Sequence, residues 1–377
     1  MLRKIFLRSI LWVVLTTGLC ISCDSDSIVD NPKQTNDGWQ TASLKSVGMD
    51  EESLSDLVTS IENETYQNIH SVLIIKNGKL VFEQYFSGYT WAYNAQFQGE
   101  LVTWDRNKIH NLASVTKSFT STLIGIAIDE GLIQAVADNV SIFFTEYSDH
   151  FNNGKEKLML EHLLTMRAGL EWNEGELPYS DPNNDLVRLF SVDDPVSYIL
   201  SKPLLHEPGT VFYYSGGCTN LLGEAIRSAS GKRLDAFARE YLFEPLGITD
   251  YQWDFINPDF IHASGNLKLR PRDMAKLGYL FLNGGRWNDL QIVSEEWVEA
   301  ATTRQVPFSW GGYGYQWWMQ TFHIGSESYA SFYAAGWGGQ KIVVFPDLNM
   351  VVVLTGGNYT SEDPTNEMIR DFILSAL

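Results

Sequence analysis

Asn77-Gly78 separates two β-rich runs, Ser71 to Lys76 and Leu80 to Phe86. Asn-Gly suits the positive φ values of a two-residue hairpin, so the two runs read as antiparallel neighbours. Strand signal returns far downstream, at Gly314 to Thr321, Tyr329 to Ala334, Lys341 to Phe345 and Met350 to Thr355. The stretch between has helical spacing broken by loops, as in Leu158 to Met166, Asp194 to Ser201, Asn220 to Ser228 and Leu234 to Leu242. Such an order predicts one sheet domain built from residues 43–135 and 286–377, with residues 136–285 inserted as a mostly helical domain. The expected fold class is α/β, an α+β sandwich in which helices flank an antiparallel sheet. A cleft is expected where the two parts meet.

Helical signals support that plan. Glu51 to Glu64 carries Leu54, Leu57, Val58 and Ile61 at helical spacing, and a last helix is expected from about Thr365 to Ala376. Ser114 to Glu130 is apolar almost all round and ends at Gly131, which describes a helix buried on most sides. The 377 residues are 44% hydrophobic, so a sizeable core is available and general disorder is excluded. A formal net charge of −19 would repel phosphate backbones, which argues against a nucleic-acid partner.

Residues 1–22 read as an export signal, with Arg3, Lys4 and Arg8 ahead of a short apolar run and small residues. Leu19-Cys20-Ile21-Ser22-Cys23 resembles a bacterial lipobox, with Cys20 where Leu is usual, so Cys23 is the expected lipidation site. Residues 23–42 would then form a flexible tether. The expected location is a bacterial envelope, periplasmic or on the outer surface, with the membrane reached through the lipid alone. Only three cysteines occur, Cys20, Cys23 and Cys218, too few for a disulfide framework, and Cys218 reads as a lone buried thiol.

Ala113-Ser114-Val115-Thr116-Lys117 contains the only Ser-x-x-Lys of the chain. Positions three apart share a helix face, so the Ser114 hydroxyl and Lys117 amine can touch. A serine hydroxyl becomes a useful nucleophile when a base takes its proton, and a lysine serves where its surroundings disfavour the ammonium form. Taken alone, the tetrapeptide also fits a chance match in which Ser114 merely caps a buried helix. No His-Glu-x-x-His occurs among seven scattered histidines, and no glycine-rich segment has dinucleotide or phosphate-loop spacing, so neither a metal nor a cofactor is expected.

Two further segments follow in order: Pro208 to Gly216, containing Tyr213-Tyr214-Ser215-Gly216, and Ala334-Ala335-Gly336-Trp337-Gly338-Gly339-Gln340. With Ser114-x-x-Lys117 they resemble the serine β-lactamase and penicillin-binding protein superfamily. The resemblance is greatest to its class C β-lactamase-like hydrolases, which include esterases, D-amino peptidases and aminohexanoate-dimer hydrolases. It runs from about 45 to 375 and takes in His162 to Leu170, Glu244 to Ile248 and Arg272 to Gly278.

The resemblance implies a β-lactamase/transpeptidase-like fold and a serine hydrolase that cleaves a small ester or amide through an acyl-enzyme. It makes Ser114 the nucleophile, Lys117 its base and Tyr214 a proton relay, and it gives the amides of Ser114 and Trp337 to the oxyanion hole. Gly336 is where substrate would approach bare backbone, and the loop 171–185 offers Tyr179 and Asp181 as substrate contacts. Each feature has a plainer reading: Tyr214 as a core tyrosine, Gly336 to Gly339 as a tight turn, the loop as exposed aromatics without a binding role. Trp310, Trp317 and Trp318 are expected in the core.

Two positions depart from the family pattern. Gly216 stands where the Tyr-x-Asn element has its asparagine, and Ala334 stands where Lys-Thr-Gly has its cation. Both departures argue against efficient β-lactam or D-Ala-D-Ala chemistry. A binding or sensing lipoprotein on the same fold, or a penicillin-binding D,D-peptidase or β-lactamase, are the alternatives.

Overall fold

The computed structural model describes residues 29–92 and 98–377. The expected export signal 1–22 and the lipidation site Cys23 lie outside the described residues. Asn77 and Gly78 take φ values of +52° and +74°, and they turn Ile69–Lys76 back onto Lys79–Tyr85 as the Asn-Gly pair predicts. These strands join a nine-stranded sheet whose other members are Gln40–Thr41, Val306–Phe308, Gly311–Tyr313, Trp318–Ile324, Glu327–Gly336, Gln340–Phe345 and Met350–Gly356. The pairings are antiparallel except at one edge, where Gln40–Thr41 runs parallel to Lys79–Tyr85, so the sheet is mixed.

The centre of the sheet is covered on both faces, which explains its unbroken apolar runs. Along Met350–Gly356, Val351 and Val353 join one core while Met350, Val352 and Leu354 join the other, as the period of two requires. The first core holds the helices Thr116–Asp129, Gly216–Ser230 and Pro271–Leu282, and the second holds Glu51–Glu62 and the C-terminal turns Thr365–Met368 and Ile369–Ile373. Pro271–Leu282, which sequence spacing grouped with the helical insertion, lies directly on the sheet. A Cβ on Gly278 would stand 2.6 Å from Val351 and 2.7 Å from Ile342.

Residues 33–41, expected within a flexible tether, are instead fastened to the body. Arg272, 3% exposed, donates to Asp37 at 2.8 Å, Thr35 at 2.7 Å and the Lys33 carbonyl at 2.9 Å, and it pairs with buried Glu83. The Trp39 indole returns a bond to the Arg272 carbonyl at 3.0 Å. Burying that guanidinium without partners would cost several kcal/mol, so these partners are held in place as firmly as the arginine itself. Among the described residues no helix is long and apolar enough to cross a membrane.

Candidate active site

Ser114 lies in the short turn Ala113–Val115 that leads into Thr116–Asp129. That helix is buried along most of its length although its first turns read Thr-Lys-Ser-Phe-Thr-Ser-Thr. Its hydroxyls are consumed by neighbouring carbonyls: Ser118 donates to Gln316 O at 2.7 Å, Thr120 to Ala263 O at 2.7 Å and Ser121 to Tyr315 O at 2.6 Å. Satisfied in this way, the polar face is buried without penalty and its start is fixed in space. Ala113 adopts φ +45°, an uncommon value for a residue with a side chain, and the Asn111 side chain accepts its amide at 2.9 Å. Strain of this kind sits where the surroundings hold it, here one residue before the serine.

Lys117 is 2% exposed, and its Nζ lies 3.0 Å from Ser114 Oγ and 2.8 Å from the Ser264 carbonyl. The Tyr214 ring covers the same amine, its centre 4.9 Å from Nζ. Trp318 lies nearly parallel to that ring at 6.0 Å, while Tyr213 turns to the surface, its hydroxyl 3.4 Å from Glu176. Hydroxyl, amine and phenol ring thus gather from stretches a hundred residues apart. Of the three, Ser114 lines a cleft of about 360 Å³.

Aromatic rings form much of the cleft wall, with Trp337 at the centre of a group that includes Tyr179 at 5.0 Å, Tyr359 at 5.2 Å and Trp91 at 6.1 Å. The Tyr179 hydroxyl donates to Glu174 at 3.2 Å. The other oxygen of Glu174 accepts the Trp172 indole at 2.8 Å and the Gly216 amide at 2.6 Å. His262 also lines the cleft, 4% exposed, with neither ring nitrogen hydrogen-bonded. Burial, and after it the neighbouring Lys117 charge, pushes its imidazole down to about 3.

The sequence model of the family described as Beta-lactamase matches residues 69–374. The chain belongs to the Beta-lactamase family. A 6-aminohexanoate-dimer hydrolase from Paenarthrobacter ureafaciens is 27% identical over 266 residues, covering 65% of this chain and 65% of that protein's length. Among solved structures, a penicillin-binding protein homologue from Caulobacter crescentus superimposes with a TM-score of 0.67 at 18% identity, over 86% of this chain and 97% of that one. A family VIII carboxylesterase gives 0.68 at 17% identity, over 86% and 97%. These two likenesses bear on the fold, which is the expected β-lactamase/transpeptidase-like one.

Of the residues that the Beta-lactamase pattern pointed to, Ser114, Lys117, Tyr214, Tyr179 and Trp337 converge here. Gly336 has another reason to be glycine than substrate approach: a Cβ there would stand 2.3 Å from the Leu112 carbonyl and 3.1 Å from the Ser114 amide. Its role is to let the strand Glu327–Gly336 press against the nucleophile turn. Gly216 likewise faces protein, for its Cβ would meet Glu174 at 2.9 Å, Leu186 at 2.9 Å and Ser264 at 3.0 Å. Asp181 does not line the cleft; its carboxylate accepts the Asn183 amide at 2.8 Å and closes a local turn. Trp317 is fully buried, but Trp310, expected in the core, is 55% exposed and stacks on Phe308 at the sheet edge.

Glu174, Ser264 and His262 carry the unforeseen part of the site. Glu174 stands in the loop singled out from the sequence, yet no spacing rule links it to Gly216, and nothing in Ala263-Ser264-Gly265 marks a carbonyl that receives a lysine. Cys218 is the buried free thiol expected, pushed up to about 12 chiefly by burial, which makes it a poor nucleophile. Among the described residues no group of three or more His, Cys, Asp or Glu is placed to hold a metal ion.

Proposed function

We propose that the protein is a serine hydrolase that cleaves an ester or amide through an acyl-enzyme on Ser114. The observation that carries this reading is the contact of Lys117 Nζ with Ser114 Oγ at 3.0 Å beneath the Tyr214 ring, at the edge of an apolar cleft. In its unprotonated form the Lys117 amine takes the hydroxyl proton as Ser114 Oγ attacks the substrate carbonyl. The resulting oxyanion is met by the backbone amides of Ser114 and Trp337, a reading supported by the close packing of Gly336, the residue before Trp337, on the nucleophile turn. As the tetrahedral adduct collapses, the carbon–oxygen or carbon–nitrogen bond to the leaving group breaks, and the leaving group receives the proton by way of Lys117 and Tyr214. Water then enters, deprotonated by the same groups, and frees the acid and Ser114.

Support for hydrolysis comes also from relatives named as an aminohexanoate-dimer hydrolase and a carboxylesterase. The test is covalent labelling with a fluorescent phosphonate together with turnover of p-nitrophenyl acetate. Both are expected in the native protein and absent in a folded Ser114→Ala variant; equal turnover in that variant would refute the reading. We further propose that Cys23 carries a lipid that holds the protein on the envelope, supported by its lipobox-like setting. Incorporation of labelled palmitate that is lost in Cys23→Ala tests it.

A further inference from the structure

A covalently held acyl group must find room beside its serine through both halves of the reaction, so the walls next to Ser114 describe that group. Among the described residues, every side chain lining the cleft is uncharged. Trp91, Tyr179, Leu186, Phe190, Trp337 and Tyr359 give it apolar walls, and Asn111 and Asn266 are neutral amides. The titratable ring within it, His262, is also neutral, buried against the edge of Phe190 at 5.2 Å with no acid to draw a proton onto it. Burial disfavours its charged form through the whole range in which an enzyme of this kind would work.

The nearby charges are engaged elsewhere. Lys117 is turned to Ser114 and the Ser264 carbonyl. Lys341, across the strand from Ala335, is held by Asp363 at 3.2 Å and Asn366 at 2.7 Å. The Glu174 oxygens already accept three donors. An ionised acyl group entering this cleft would lose its water without gaining a partner of opposite charge, which is strongly unfavourable. An apolar one gains with each buried methylene.

Resting on the serine-hydrolase reading above, we propose that the acyl group accepted by this protein is uncharged and apolar, an aliphatic or aromatic acyl chain rather than one that ends in a carboxylate or an ammonium. The specificity lies in the walls of the cleft and not in the acylation machinery.

A matched series of p-nitrophenyl esters tests this: acetate, butyrate and hexanoate, then the monoester of adipic acid and an ω-trimethylammonio-hexanoate. Expected is a rise in kcat/KM of about threefold per added methylene until the cleft fills, and at least a tenfold fall from hexanoate to either charged ester. Val187→Lys, which places a cation at a half-buried wall position, is expected to raise the adipate monoester relative to hexanoate by several-fold. Phosphonate labelling and acetate turnover accompanied by charged esters within threefold of hexanoate, or a preference that Val187→Lys does not move, would overturn the proposal and leave the serine chemistry standing. Absence of both labelling and turnover would overturn the serine reading, and this proposal with it.

Discussion

Glu174 accepts the backbone amide of Gly216 at 2.6 Å, and its carboxylate occupies the space into which a side chain at 216 would grow. The asparagine that the family pattern places there is therefore excluded by a neighbour rather than simply missing. Gly216→Asn is expected to lower the melting temperature and the turnover of p-nitrophenyl esters together, because overpacking of this kind costs about 1–3 kcal/mol. Glu174→Gln keeps the volume and an acceptor oxygen for the Trp172 indole and the Gly216 amide but removes the charge from those bonds, and it is expected to destabilise by about 1 kcal/mol. Thermal unfolding of both variants is the measurement, and an unchanged midpoint in either would contradict the packing described.

Removing the amine while keeping the stem isolates its chemistry. Lys117→Met is expected to lower kcat by roughly 10³-fold or more while the protein stays folded. Tyr214→Phe keeps the ring over the amine and removes only the hydroxyl, and it is expected to cost about 10²- to 10⁴-fold. Steady-state kinetics with a p-nitrophenyl ester, beside circular dichroism for the fold, distinguishes these losses from unfolding.

At Gly336 the obstacle to a methyl group is backbone, the Leu112 carbonyl at 2.3 Å, so no side chain can swing aside. Gly336→Ala must separate the strand end from the nucleophile turn. We expect kcat to fall at least tenfold, since one misplaced oxyanion donor is worth ~3 kcal/mol. Rates and labelling kinetics measured on the purified variant check this.

Three buried histidines make stability depend on pH. His70 and His110 touch through their ring nitrogens at 2.8 Å, and burial, with mutual repulsion added for His70, holds both well below the usual histidine range; His262 is held at about 3. Above pH 6.5 these rings are neutral in both folded and unfolded chains. Below it the unfolded chain takes up protons that the fold refuses, so stability falls as pH drops from about 6.5 towards 3. Each refused proton contributes a slope of roughly 1.4 kcal/mol per pH unit. Urea unfolding at pH 7.5, 6 and 5 should show the decline, and His262→Phe should make it shallower.

The parts of this molecule that could be read from sequence are those whose geometry is local. Asn77-Gly78 encodes its own positive φ, and Ser114 and Lys117 meet because a helix repeats every three to four residues. What escaped depends on partners distant in sequence. Arg272 draws residues 33–37 onto the body from more than two hundred residues away, so a stretch with the composition of a linker is ordered. Gly336 looked like a concession to substrate because its true neighbour, the carbonyl of Leu112, is brought there only by the pairing of the sheet. Asp181 and Glu174 share one loop and one chemistry, and the path of the backbone alone decides that one closes a turn and the other supports the cleft.

The strand Met350–Gly356 lies between Ile69–Lys76 and Gln340–Phe345, a late part of the chain wedged beside an early one. During synthesis the hairpin of residues 69–85 must wait, one edge unpaired, until nearly the whole polypeptide has left the ribosome. Assembly of the cleft is thus a single late event, slow by virtue of its long loop closures and exposed to aggregation meanwhile. A premature stop anywhere before residue 350 would yield no partial enzyme, only a chain with an open edge.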